Sequence, residues 1–463
     1  ANQITRSFSL SSVLVSLCGF VASNTAAAEK ARFERAWVRR SLSSRAAPQD
    51  IRSYAGAARF EPDRRPEAIG PSLPPKAQRT ARKLTLALPL LLALSMVADE
   101  HAWAFDLGGT WQEVPLQRFN PFPRDNLAAT QGVDPVVPSG YIFGGSYSHF
   151  TSGMTFFNTL FEWKANGSVG KPTITFTEIG GRSTAHPSAR AFPTMGAVRK
   201  GSDTHVYVFG GGTYDSSTTL RSAPDKFWHY DASTGQWHDL SYLRGPSPRS
   251  GALMIAWQDD LFLFGGIANS SDSGYITHND LWKFDTERMV WSLLSNNTGP
   301  KKKRIAMGGT IGPADDKKLL VYGGERFVPS SWEFPIDRET WTWDIAKGAW
   351  TRNVDGPARN KGVFGTNPGG ALMFGGDEEG GVVGCGAPFY QNPTNDLFYY
   401  DAQQGTWTKI VEATNTPEPV KRTAGVWAAG YLYVFGGFDF VCDSEDDPGQ
   451  IWNETVYRLK VGE

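Results

Sequence analysis

The chain has 463 residues, with 50 glycines, 16 Trp, 15 Tyr, 28 Phe and three cysteines, a mixture suited to short strands and tight turns rather than helical bundles. Its net charge of −1 hides an asymmetry: residues 1–104 hold 15 Lys+Arg against 8 Asp+Glu, leaving 31 of 46 basic and 39 of 47 acidic residues to the remainder. An acidic body repels phosphates, which argues against a nucleic-acid partner and assigns the basic leader to targeting.

Residues Phe8 to Ala22 form a short apolar run with no acidic residue, as in a signal peptide. From Lys30 to Lys83 the chain is rich in Arg, Ala, Ser and Pro, as in an organelle transit peptide. Arg82-Lys83 then precede a second apolar run, Leu84–Val97, and Ala102-Trp103-Ala104 supplies the small-x-small pattern of a processing site. At 14 residues this run is too short to anchor the chain, so cleavage after Ala104 is expected, with no transmembrane segment in the mature chain. The order of the three segments resembles presequences of thylakoid-lumen proteins in complex algal plastids. Phe20-Val21-Ala22-Ser23 also resembles the Phe-Val-Ala-Pro element of peridinin-type plastids, with Ser23 in place of the proline. The resemblance implies a plastid, thylakoid-lumen destination; the alternative is a secreted protein.

Beyond residue 105 the sequence repeats. An aromatic-Gly-Gly triplet follows a short apolar run six times: Phe143-Gly144-Gly145, Phe209-Gly210-Gly211, Phe264-Gly265-Gly266, Tyr322-Gly323-Gly324, Phe374-Gly375-Gly376 and Phe435-Gly436-Gly437. Asp231, Asp285, Asp344 and Asp401 each follow an aromatic residue and precede Trp237, Trp291, Trp350 and Trp407 by six positions, the spacing of strand, polar turn and strand. Phe176 stands where the first repeat should have its Trp. An arginine precedes every triplet: Arg124, Arg190, Arg249, Arg304, Arg359 and Arg422.

These elements resemble the kelch repeat. The resemblance implies an all-β, six-bladed propeller over residues 105–463, with 1–104 as a removable presequence. After the sixth triplet the chain supplies only a third strand, whereas Gly109–Val114 resembles a fourth. The N-terminal strand of the mature chain is therefore expected to complete the last blade and leave no open edge.

Strand alternation puts the long connections 146–157, 212–225, 267–279, 325–338, 377–394 and 438–452 on one face, the candidate partner surface. Tyr147, His149, Phe150, Trp332, Phe334, Phe389, Tyr390, Phe438 and Phe440 offer apolar anchors there. Asp377, Glu378, Glu379, Asp439, Asp443, Glu445, Asp446 and Asp447 gather acid on the fifth and sixth repeats, suited to steering a basic partner. Cys385 and Cys442 fall in corresponding connections and could form a disulfide in an oxidising compartment; two buried thiols are the alternative.

No catalytic order is recognised. The six histidines after residue 104 are scattered in sequence, and the EF-hand-like run from Asp443 to Glu454 has Pro448 where the turn needs glycine. No catalytic residue, cofactor or metal is expected. The reading is a non-catalytic scaffold docking on the lumenal face of a thylakoid membrane complex, as a peripheral subunit or assembly factor of a photosystem. A metal-dependent enzyme on this scaffold, or a secreted glycan- or protein-binding propeller, are the alternatives.

Overall fold

A computed structural model describes residues 109–460 apart from 135, 150–152, 169, 182, 216–218, 271–273, 297, 301–309, 314–316, 329, 332, 368, 385–386, 412 and 442–448. The proposed presequence and its processing site, Ala102 and Ala104, lie outside the described residues. So do Cys385, Cys442, Phe150, Trp332, Asp443, Glu445, Asp446 and Asp447.

The described chain is all β; six of its sheets are the blades of a propeller, and four two-stranded sheets accompany them. Blade one is Ala128–Gln131, Ser139–Phe143, Leu160–Ser168 and Lys171–Ile179; blade two is Ala191–Lys200, Asp203–Tyr214, Phe227–Asp231 and Gln236–Asp239. Blade three is Leu253–Trp257, Asp260–Phe264, Leu281–Asp285 and Val290–Ser295; blade four is Thr310–Pro313, Lys318–Tyr322, Thr340–Asp344 and Ala349–Arg352. Blade five is Val363–Asn367, Gly370–Phe374, Leu397–Asp401 and Thr406–Ile410. Blade six takes Ala424–Ala428, Tyr431–Phe435 and Tyr457–Lys460 from the end of the chain and Trp111–Glu113 from its first described strand. Trp111 lies opposite Leu459 and Glu113 opposite Tyr457. A second short strand, Leu116–Gln117, then adds to the outer edge of blade one, so one segment joins blades six and one from outside.

The repeat residues explain why blades pack. Each second strand is apolar because it is covered on both faces; Val206–Phe209, Leu261–Phe264 and Leu432–Phe435 are all buried. Where that strand ends, both glycines of the triplet take positive φ, and the second donates its N–H to the next blade: Gly145 to Arg190 O at 2.9 Å, Gly211 to Arg249 O at 3.0 Å, Gly437 to Arg124 O at 2.7 Å. A Cβ on Gly144 would lie 2.8 Å from the Arg190 carbonyl oxygen, so a larger residue would force the blades apart.

Arg304 lies outside the described residues; Arg124, Arg190, Arg249 and Arg359 act inside their own blades. Arg190 Nη1 donates to Gly210 O at 3.1 Å and its Nη2 meets Asp225 at 2.5 Å; Arg249 Nη1 donates to Gly265 O at 3.0 Å and to Asp280 at 2.6 Å. Such charge-assisted bonds hold the second and third strands at one level. The sixth member of the series differs from expectation. The backbone position of the repeat arginine belongs to Val420, whose carbonyl accepts the Gly376 N–H at 2.8 Å, and Arg422 comes two residues later with a different task.

Each outer-strand Trp packs on the triplet aromatic of the preceding blade. Ring centroids are 5.8 Å apart for Trp237–Phe143, Trp291–Phe209 and Trp350–Phe264, 4.4 Å for Trp407–Tyr322 and 4.5 Å for Trp111–Phe374. Phe176 fills this place against Phe435 at 6.2 Å, helped by Trp163 at 5.3 Å. The third-strand aspartates cap the turns that follow: Asp231, Asp285, Asp344 and Asp401 each accept backbone N–H bonds from residues two or three positions on.

Candidate functional site

The connections after the double glycines are regular rather than loose. In blade one Ser146–His149 pairs with Gly153–Phe156, in blade three Ile267–Ser270 with Gly274–Thr277, in blade five Asp377–Gly384 with Ala387–Pro393, and in blade six Phe438–Phe440 with Gln450–Trp452. Blade two extends its second strand to pair with Leu220–Ser222, and blade four forms bridges Glu325–Ile336 and Val328–Glu333. Six hairpins therefore stand on one face. These stretches were expected as long loops; their period-two pairing is masked in sequence by glycines and polar residues.

The hairpins rest on a collar around the axial cavity, whose volume is about 770 Å³. Asn126, Phe192, Gly251, Lys361 and Arg422 occupy equivalent places at the start of the inner strands, and all five have left-handed φ between 51° and 62°. Their backbones link successive blades. Asn126 N–H donates to Arg422 O at 2.9 Å, Phe192 to Asn126 O at 2.9 Å, Gly251 to Phe192 O at 2.9 Å, and Arg422 to Lys361 O at 2.7 Å. Left-handed backbone costs a non-glycine residue about 1 kcal/mol or more, and the inter-blade bonds offset it.

One half of the collar is apolar. Ala191, Phe192, Leu220, Ile267 and Phe327 form a buried cluster with Phe156, Tyr214, Tyr275 and Phe334 packed against it. Phe334 is 5.2 Å from Phe327 and 6.4 Å from Tyr275, ring to ring. It is half-buried against that cluster.

The other half is charged. Ser146 Oγ donates to Asp125 at 2.5 Å, and Arg422 Nη1 lies 3.5 Å from the same carboxylate. Lys361 Nζ meets Glu325 at 2.7 Å, with Asn360 donating to that carboxylate as well. Lys421 Nζ meets Asp377 at 2.7 Å, both groups buried, and Asn392 N–H donates to Asp377 at 2.9 Å. Burial raises the Asp125 carboxyl, against the opposing pull of Arg422 and Ser146. Burial also pulls Lys421 down to about 7, with Asp377 opposing, and pushes Tyr214 up to about 12. Burial acts downward on Arg422 too, but Asp125, Tyr214, Asp377 and Glu325 outweigh it and hold its pKa above the usual value. Three acids and three bases cancel, a network that fastens hairpins to blades.

This arrangement corrects the expected surface chemistry at several positions. Asp377 is committed to Lys421, and Glu378 to Arg359 at 2.6 Å. Phe438 and Phe440 are buried within their own hairpin beside Trp452. Tyr147 packs on Trp452 at 4.9 Å, joining the first hairpin to the sixth. Glu379 is exposed on its hairpin. His149 lies on the first hairpin, and Phe389 and Tyr390 on the fifth, as backbone positions. Asp125, Glu325, Lys361, Lys421 and Arg422 were not anticipated as a group. For Asp125, Lys361, Lys421 and Arg422 the sequence signal is the two positions after the repeat arginine, readable once Val420, fifteen residues before its triplet like Arg249 and Arg359, sets the frame; Glu325 instead follows the fourth double glycine.

Apolar area does reach solvent at the hairpins. Met154, Ile276 and Ile451 are 39%, 40% and 58% exposed on the hairpins of blades one, three and six. Among the described residues no three His, Cys, Asp or Glu side chains are arranged to hold a metal ion, and no helix is long and apolar enough to cross a membrane.

A family model described as Attractin/LZTR1 β-propeller matches residues 206–439, just over half of the chain. Kelch domain-containing protein 10 of Xenopus tropicalis is 28% identical over 161 residues, 32% of this chain and 34% of that protein. Its counterpart in Rattus norvegicus is 26% identical over 161 residues, with the same shares. The Rho GTPase-activating protein gacHH of Dictyostelium discoideum is 28% identical over 147 residues, 31% of this chain and 9% of that protein. The matched stretch spans at most about a third of these curated relatives.

Proposed function

The chain belongs to the Attractin/LZTR1 β-propeller family, and from that premise we propose that it is a non-catalytic interaction scaffold whose hairpin face docks a protein partner. Kelch-type propellers serve as interaction domains, and the observation that carries the assignment to this face is the outward apolar side chain on three of its hairpins, Met154, Ile276 and Ile451. The polar groups beneath them are engaged in internal pairs, so recognition falls to the exposed hairpin surfaces.

We further propose that the partner is the lumenal face of a thylakoid membrane complex, with this chain as a peripheral photosystem subunit or assembly factor. The order of signal-like, transit-like and second signal-like segments within residues 1–104 supports that reading. On native gels of solubilised thylakoids the protein should co-migrate with a photosystem. Recovery solely as a free monomer would sink the photosystem reading. A fluorescent fusion of residues 1–104 should enter the plastid; export from the cell would replace the plastid with the secreted alternative.

A further inference from the structure

Histidines that are far apart in sequence meet on blade two. His205, His229 and His238 come from its second, third and fourth strands, and strand register puts them side by side on one face. His205 Nδ1 lies 2.7 Å from His229 Nε2, so two imidazole nitrogens point directly at one another. His238 stacks on the far side of His229, ring centroids 5.5 Å apart and planes 25° from parallel. The buried Tyr207 ring backs His229 at 4.8 Å.

We propose that His205 and His229 form the core of a transition-metal site, for Zn²⁺ or Cu²⁺, on the blade-two surface that faces blade three. A metal would replace the proton now shared by the two rings. Ligand bonds of about 2.0–2.1 Å at a tetrahedral angle need nitrogens roughly 3.3 Å apart, an opening of roughly 0.6 Å. Each ring binds as neutral imidazole, with its remaining N–H on the other nitrogen. The exposed His238 ring can swing about its side-chain bonds to add a third nitrogen, and water completes the shell. Asp203 and Asp231 add favourable charge beside His205. Lys200 opposes it, but its ammonium is drawn aside onto Thr286 O of blade three.

The site is separate from the hairpin face and needs no chemistry from the metal. Titrating the full chain with Cu²⁺ should give one bound equivalent whose electron paramagnetic resonance spectrum shows nitrogen coupling from at least two imidazoles. Zn²⁺ should compete in calorimetry. His205→Asn and His229→Asn should each abolish binding, His238→Asn should weaken it, and His186→Asn should leave it unchanged. Absence of the bound equivalent, or wild-type binding in His205→Asn, overturns the proposal. Thermal melts of the metal-free variants separate loss of the site from loss of the fold. If His229→Asn unfolds, the half-exposed His205 variant decides.

Discussion

Where the hairpins of blades two and three meet the collar, the contact is apolar, through Phe192, Leu220 and Ile267; where those of blades five and six meet it, the contact is charged, through Lys361, Arg422, Lys421 and Asp377. Backbone conformation and inter-blade bonding are the same in both halves. What differs is how the hairpin is held. The apolar half tolerates any side chain of suitable shape, because burial carries no directional demand. In the charged half each acid needs its own base, so hairpin position is specified by pairs at the expense of tolerance. The comparison teaches that one collar geometry can carry hairpins by two unrelated forces, and that the two halves should fail differently.

The largest expected effect is in the charged half. Lys421→Met leaves Asp377 buried without its base and should lower stability by about 3–5 kcal/mol in urea unfolding, whereas Lys421→Met combined with Asp377→Leu should recover most of the loss. A double variant as unstable as the single one would show that the pair is not what holds the fifth hairpin. In the apolar half Phe327→Ala should cost about 3 kcal/mol through the cavity it leaves, and no second substitution among charged residues should restore it.

The halves should also part company with pH. Lys421 titrates near 7 when folded against 10.5 for the free side chain. Between those values the unfolded chain binds the extra proton. The group's contribution to stability is therefore fully present above about 10.5 and is lost as pH falls towards 7. Thermal melts across that window should show wild type gaining on Lys421→Met as pH rises, while Phe327→Ala tracks wild type. Parallel curves for all three would contradict the assignment. The smallest effect on stability belongs to the tips: Met154→Glu and Ile451→Glu should change it by less than about 0.5 kcal/mol, yet reduce co-migration with the partner complex. Undiminished co-migration would move docking off the hairpin face.

Sequence disclosed the propeller because each repeat residue acts on its own blade or an adjacent one. Gly211, Arg190 and Trp237 recur at fixed intervals for that reason. The collar was hidden because its partners are remote and unrepeated, as in Asp125 and Arg422, which meet across the seam between blades one and six. Taking Arg422 as the sixth repeat arginine concealed its role further. Aromatic content alone could not separate hairpin core from hairpin surface. Phe438 and Phe440 turned inward and Phe334 is half-buried, whereas Met154, Ile276 and Ile451 drew no notice. The three blade-two histidines were invisible for the same reason as the collar, since only strand register makes neighbours of positions 205, 229 and 238.

The seam in blade six has a mechanical consequence. Trp111 pairs with Leu459 and Glu113 with Tyr457 in an antiparallel ladder, so the chain leaves both strands at the same end. Tension between positions 110 and 460 would load those hydrogen bonds one after another, like a zipper, rather than together in shear. The ring is thus clasped well against thermal agitation yet opens readily to a directed pull. In a force experiment the first event should be release of this one strand, with the other five blades still wound.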